Sequence, residues 1–231
     1  MNTPFLKADR PGRVATIVAL FFLSTTAQTF STSILLNFED IPGMPNAAGS
    51  PIPVASRLSD QYQSTAGVTF SSGSSYVGVL YMNPGDAPSG SNVVGGSTLS
   101  GNLTYDGAFP IVATFSVPGS PSIPAVTDFV SLRVDQFFAA VRTLTLNAYD
   151  INGVLIATYT APDFYGPTLQ VSAPGIHSVQ FIGTIDADGA AMDDFMFNSV
   201  VAVPEPSTIS LTIIGGAALV RGIRRKKFSR T

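Results

Sequence analysis

Between residues 33 and 201 apolar and polar residues alternate with a period of two, and Gly, Pro, Ser and Asn interrupt the alternation at short intervals. No stretch in that region repeats its apolar residues at the helical spacing of 3.6, so the chain must build its core from strands. Residues 142–159, RTLTLNAYDINGVLIATY, give the pattern most clearly. Leu144, Leu146 and Ala148 fall on one face of a strand, Asn152-Gly153 supplies a turn, and 154–159 returns. The Asn-Gly pair predicts a two-residue type I′ hairpin, because both central residues of that turn need positive φ.

The same reading finds further strands. Ile34, Leu36 and Phe38 alternate with Leu35 and Asn37; Val68 and Phe70 flank Thr69; 76–82 and 111–117 are β-rich runs bounded by Gly and Pro. Val126, Val130, Leu132 and Val134 share a face in 126–134, and strands follow at 168–172, 177–183 and 194–201. About nine strands at this spacing, with no helix among them, imply an all-β fold, a single antiparallel β-sandwich. Residues 83–105, rich in Gly, Ser and Asn, break the spacing and read as a long loop or irregular hairpin.

Both ends of the chain differ from this body. Lys7, Arg10 and Arg13 precede an apolar run at 14–23, and Thr25 and Ala27 stand at signal-peptidase spacing, so 1–27 reads as a signal peptide. At the other end Val203, Pro204, Glu205, Pro206, Ser207 and Thr208 lead into an apolar run at 209–220, followed by Arg221, Arg224, Arg225, Lys226 and Lys227. Twelve helical residues reach about 18 Å against a hydrocarbon core of about 30 Å, and even a helix over 207–223 spans it only marginally. Gly215 and Gly216 weaken that helix further, which suits a segment held until it is cut. Basic residues at both ends place both in the cytoplasm and the middle outside, as a hairpin through the inner membrane. The expected organisation is a signal peptide over 1–27, a β-sandwich over 28–202 and a tail over 203–231 with a short C-terminal transmembrane helix. About 175 residues suffice for one domain and not comfortably for two.

Nine of the twelve Lys and Arg lie in those two ends, leaving Arg57, Arg133 and Arg142 in the body with no Lys. Thirteen of the fifteen acids remain there, so the body carries a net charge of about −10. Such a polyanion does not bind nucleic acid through phosphate neutralisation. It can bind divalent cations or stay soluble among acidic polysaccharides. The chain has no Cys, which excludes disulfides, thiolate metal sites and cysteine nucleophiles, and leaves an exported domain held by its core alone.

The order Val-Pro-Glu-Pro-Ser-Thr, apolar run, basic cluster resembles the PEP-CTERM sorting signal of bacteria that secrete exopolysaccharide. That resemblance implies signal peptidase, the exosortase and the inner membrane as partners during export. It also implies removal of the tail, delivery to the cell surface or extracellular matrix, and a biofilm setting. From residue 142 onward, RTLTLNAYDINGVLIATY, PGIHSVQFIG and DGAAMDDFMF follow the order of strand-and-turn units in jelly-roll, galactose-binding-like sandwiches and carbohydrate-binding modules. The resemblance implies a structural calcium held where the first and last strands meet. The matching acids are Glu39 and Asp40 in NFED, and Asp193 or Asp194 in MDDF. Calcium takes six to eight hard oxygen ligands, which paired carboxylates can begin to supply. The plainer reading of each acid is a solvated strand end or turn-former. Asp186, Asp188 and Gly189 do not make an EF-hand, since Thr184 would take the first ligand position and Phe195 the twelfth.

Catalytic groups are scarce. His177 is the only histidine, at the edge of a strand, so zinc sites of several histidines are impossible and any Ser-His-Asp triad would need it. No nucleophile elbow, P-loop or dinucleotide fingerprint occurs. A carboxylate pair for glycoside hydrolysis would draw on Glu39, the single body glutamate, and on turn aspartates. Tyr62, Tyr76, Tyr81, Tyr105 and Tyr165 lie in or near loops, where each can stack on a sugar or serve the core. The Asn102-Leu103-Thr104 sequon carries no weight in a bacterial protein. The expected function is that of a non-enzymatic matrix or surface protein, structural or adhesive. Behind it stand a calcium-stabilised module binding extracellular polysaccharide and an enzyme acting on one.

Overall fold

The structure, a computed structural model, describes residues 32–45, 51–73, 76–83, 85–97, 109–135, 143–162, 166–183 and 190–203. Residues 1–27, read as a signal peptide, and Pro204, Glu205, Pro206, Ser207 and Thr208, read as part of a sorting motif, lie outside the described residues, as do Tyr105, Tyr165, Arg142, Asp186, Asp188, Gly189 and the sequon. In chain order the strands are β1 (Ser33–Leu36), β2 (Met44–Pro45), β3 (Arg57–Leu58), β4 (Val68–Ser71), β5 (Val77–Tyr81), β6 (Asn92–Gly95) and β7 (Ile111–Val117). They continue with β8 (Ser120–Val134), β9 (Thr143–Tyr149), β10 (Leu155–Pro162), β11 (Thr168–Ile176), β12 (Ser178–Gly183), β13 (Met192–Asn198) and β14 (Val201–Ala202).

The strands form two facing layers. The front layer runs β10-β9-β12-β7-β4, antiparallel throughout. In the back layer β8 lies between β11 and β13; β1 and β6 share the other edge of β13, and β5 pairs β6, β2 and β3. The start of β8 pairs β7 and so joins the layers. From β8 onward the chain passes to the front for the β9–β10 hairpin, back for β11, front for β12 and back for β13, the layer-switching course of a jelly-roll-like sandwich.

Alternation fixes which side chains enter the space between. Leu144, Leu146 and Ala148 of β9, Val179 and Phe181 of β12, and Val130, Leu132 and Val134 of β8 are buried together, as the sequence reading placed them. With no Trp and no disulfide, rings fill the middle. Tyr62 meets Phe38 at 6.0 Å, Phe38 meets Phe70 at 5.7 Å, and Phe70 meets Phe195 across the layers at 5.3 Å. Phe195 then meets Phe197 at 5.7 Å and Phe197 meets Phe115 back across the gap at 5.0 Å. Burial of such a ring is worth several kcal/mol, and truncating one to Ala typically costs about 3–5 kcal/mol. A second cluster, Met44, Ile52, Leu80, Met82, Ala87, Val93 and Ala191, covers the outer side of β5 and β6.

Three sequence expectations need correction. A single-turn helix, α1 (Gln63–Ala66), is present, closed by Gly67 at φ 72° and by the buried Gln63 amide donating to the Ser116 hydroxyl and the Val117 carbonyl. Four residues are too few to leave a 3.6 period in the sequence. Val126 does not share the buried face of Val130, Leu132 and Val134: it is half-buried while its neighbours Ala125 and Thr127 are buried, whereas residues 83–105 contain the irregular hairpin that was the alternative to a long loop, with β6 pairing β5. The β9–β10 turn is not type I′: Gly153 has φ 76° but Asn152 does not have positive φ, and Gly153 N–H donates to Asp150 C=O at 3.0 Å. That is a type I turn followed by a left-handed glycine. The Asp150 carboxylate drives the change by accepting from Asn152 N–H at 2.9 Å and Val154 N–H at 2.8 Å.

The described chain begins and ends side by side. Thr32 C=O accepts from Ser199 N–H and its hydroxyl, β14 pairs Val126 and Ala125 of β8, and Val203 N–H donates to Pro124 C=O. The opposite end of β13, at Asp193 and Asp194, carries the acids singled out in the sequence.

Candidate functional site

The back layer brings three of the four predicted acids to one segment. After β5 the chain loops out and returns to β6 through Ser89, Gly90, Ser91 and Asn92. Glu39, just past β1, accepts from Ser91 N–H at 2.8 Å and Asn92 N–H at 2.7 Å. Asp193 accepts from Ser89 N–H at 2.9 Å, and the Ser89 hydroxyl lies 3.0 Å from Asp193 and 2.7 Å from Asp194. Consecutive strand residues normally point to opposite faces. Here a bulge in the β13–β8 pairing and φ 47° at Asp194 turn both acids toward Ser89. Arg133 of β8 closes the cluster, its Nη1 3.2 Å from Asp194 and 3.0 Å from the Pro88 carbonyl. Asp40 does not join: it accepts from the Tyr62 hydroxyl.

The chemistry is that of a clasp on the β5–β6 loop. Asp193 is fully buried, and burial, reinforced by the Asp194 charge, raises its pKa to about 6 against the pull of the Asp194 and Ser89 N–H donors. Ser89 owns one hydroxyl proton for two carboxylate contacts, so a proton on Asp193 relieves the shortage. Burial first, and Asp40 second, push the Tyr62 phenol up. The fit to calcium is poor among the described residues, where no three His, Cys, Asp or Glu come together as a metal-binding group. The oxygens named above face N–H and O–H donors, and Arg133 already supplies a positive charge beside Asp194. Gly90 is required here, with φ 52° and a position at which a Cβ would run into the Glu39 carboxylate.

The front layer offers a different surface. None of β4, β7, β9, β10 and β12 contains an Asp, Glu, Lys or Arg, although the body as a whole is strongly acidic. Their outward side chains form registered rows. Gln180 stands opposite Asn147, and Asn147 opposite Thr158; one row along, Thr114, Ser178 and Tyr149 align. At about 4.8 Å between strands, five strands present a strip roughly 19 Å across. Tyr149 Oη donates to Gln180 Oε1 at 3.2 Å and Thr158 Oγ1 donates to Asn147 Oδ1 at 2.7 Å, so the amides are oriented across strands. These residues are half-buried or exposed, as an open sheet face requires.

Sequence reasoning nominated other tyrosines for stacking. Tyr62 is a core ring, Tyr76 lies under the Arg57 guanidinium at 4.4 Å, and Tyr81 is exposed on β5. His177 sits between β11 and β12 with Nδ1 2.8 Å from Ala125 C=O, a tie between layers. Tyr149, Asn147 and Gln180 were passed over, although the alternation that buried Leu144, Leu146 and Ala148 already pointed Asn147 and Tyr149 outward. Val203, the first residue of the expected sorting motif, donates its N–H to the Pro124 carbonyl.

No family model matches the sequence, and no curated protein matches it. Among solved structures, the C-terminal family 22 carbohydrate-binding module of Clostridium thermocellum Xyn10B is 14% identical, covers 69% of this chain and all of its own, and has a TM-score of 0.37. A DUF4465 family protein from Bacteroides caccae is 12% identical over 75% of this chain and all of its own, with a TM-score of 0.40. An arabinose-bound α-L-arabinofuranosidase is 12% identical over 62% of this chain and 24% of its own, with a TM-score of 0.36.

The clasp predicts a pH dependence. An unfolded Asp titrates near pH 3.9 and the native Asp193 at about 6, so the native state holds an extra proton between those values. Stability therefore falls as pH rises from about 4 to about 6, by an amount on the order of 2–3 kcal/mol, and levels off above. Urea midpoints measured with chelator should show this slope in the parent and lose it in Asp193→Asn. Added calcium should change neither profile. Parallel profiles would contradict the clasp, and a calcium-dependent rise would put a metal in it.

Proposed function

We propose that this chain is an exported, non-catalytic protein of the cell surface or extracellular matrix whose charge-free front face binds neutral polysaccharide. The observation that carries the reading is the absence of any formal charge from five adjacent strands of a polyanionic body. Neutral sugars are recognised by planar amides, hydroxyls and aromatic faces, and a charged face would instead select ions or desolvate at a cost. Asn147, Gln180, Thr158 and Tyr149 supply these groups in cross-strand register. An open strip suits a chain laid across it better than a small molecule, which needs concave enclosure.

The same face supports the non-enzymatic reading. Glycoside hydrolysis needs two carboxyl groups flanking the scissile bond, and no strand of the front layer carries one. The acids of the clasp are on the back layer and are held by N–H and O–H donors. Export and sorting rest on the two chain ends. The tail resembles an exosortase signal, and the described chain begins and ends side by side, which suits a body tethered from one side.

Two measurements test the proposal. Tyr149→Ala and Asn147→Ala should each weaken retardation in gels containing neutral polysaccharide by about tenfold, equivalent to about 1.4 kcal/mol, with little change in melting temperature. Equal retardation by acidic polysaccharide, or no effect of either substitution, would contradict it. Intact-mass analysis of protein secreted by a host with exosortase should find material lacking Arg221 to Thr231; secreted chains that keep those residues would contradict sorting by cleavage.

A further inference from the structure

Among the described residues, five large exposed apolar side chains gather at one end of the sandwich. Ile151, Val154 and Leu155 at the β9–β10 turn are 42%, 57% and 50% exposed, Ile123 near the start of β8 is 44%, and Val201 of β14 is 66%. Isolated exposed hydrophobes are ordinary. These share an end because the hydrogen bonds tie their segments together: His177 N–H donates to Tyr149 C=O, its ring meets Ala125 C=O, and Ala125 pairs Ala202. Residues 116–126, 149–155, 175–178 and 199–203 contain one formal charge, Asp150, whose carboxylate is turned onto its own turn amides. Backbone donation, Val154 N–H first, holds it below the usual carboxylate range. A body of about −10 is repelled by anionic headgroups, and this end carries little of that charge, with Asp128 the next acid along β8.

The same end is where the described chain stops. Val203 is bonded to Pro124, and the apolar run starts at Ile209, six residues on. Six residues reach at most about 20 Å. With the apolar run in a bilayer, this end of the sandwich cannot stand far from the lipid surface. We propose that it is a lipid-contacting foot: Ile123, Ile151, Val154, Leu155 and Val201 rest in the interfacial layer while the tail is in place. The inference rests on the membrane-held tail of the proposed function. The foot is too small to bind lipid strongly by itself and works through the high effective concentration the tether provides. The strands run away from it, so the front face extends away from the membrane from the Tyr149–Ser178 row at its near edge, through Asn147, Gln180 and Thr158, and cutting the tail releases the body.

The chain has no cysteine, so a single substitution gives a unique label. The full chain carrying Ile151→Cys or Ile123→Cys, labelled with an environment-sensitive fluorophore, is reconstituted into phosphatidylcholine–phosphatidylglycerol vesicles containing headgroup nitroxide lipid. Thr168→Cys marks the opposite end, beside Arg133. The proposal expects the chain to float with the vesicles, with blue-shifted emission and loss of most of it to the nitroxide at 151 and 123 but not at 168. Flotation without quenching at 151 and 123, or with equal quenching at 168, overturns the foot and leaves the tail reading standing. A chain that stays in solution overturns the tail reading and the foot with it. Disulfide formation between copies through Cys at 151 would assign the patch to self-association and overturn the lipid contact. Melting temperatures equal to the parent's confirm that the labelled chains are folded, and Leu155→Cys serves if Ile151→Cys is not.

Discussion

The structure depends on the column of rings that joins its two layers. Tyr62, Phe38 and Phe70 pack edge to face, Phe70 reaches Phe195 across the gap, and Phe197 returns the contact to Phe115. Without cysteine or tryptophan, these rings are the largest side chains in the core that β4, β7 and β13 share. Because cohesion is internal, neither outer surface has to contribute ion pairs, and among the described residues there is one, Arg133 with Asp194. Exposed ion pairs are worth little in any case. The front face is thereby free to be uncharged.

The two outer surfaces use their polar groups differently. On the back, a bulge and a left-handed backbone residue turn Asp193 and Asp194 toward Ser89, and with Glu39 they hold a loop. Phe38 at φ 59° and Asp194 at φ 47° flank that loop, and each carries conformational strain that surrounding contacts must offset. On the front, Asn147, Gln180, Thr158 and Tyr149 keep ordinary strand geometry and face outward. The clasp explains why the acids occur at strand ends, and the charge-free sheet explains what the fold presents.

Much of this was legible in the residues because period-two alternation is a physical signal. Leu144, Leu146 and Ala148 had to share a face, and they line the core. What escaped is what alternation cannot encode. The turn after β9 was misassigned because Asp150, outside the Asn-Gly pair, bonds its amides and selects another geometry. That Glu39, Asp193 and Asp194 would lie near one another was implied by the resemblance to jelly-roll modules, whereas the loop residues they hold, Ser89, Ser91 and Asn92, and the partner Arg133 are distant in sequence and carried no signal, and Asp40 bonds Tyr62 instead. The rows of the front face needed the register of three strand pairings. The tail remains a matter of sequence, and its part in the account is that of a short tether.

The central claim is that the uncharged front face is where polysaccharide lies. Backbone amide chemical-shift mapping of the secreted form, titrated with a soluble neutral oligosaccharide, tests it most directly. The account predicts shifts confined to β9, β10 and β12 around Asn147, Tyr149, Thr158 and Gln180, with the clasp residues Ser89 and Asp193 unmoved. Shifts centred on Ser89, Gly90 and Asp193, with the front face silent, would contradict it.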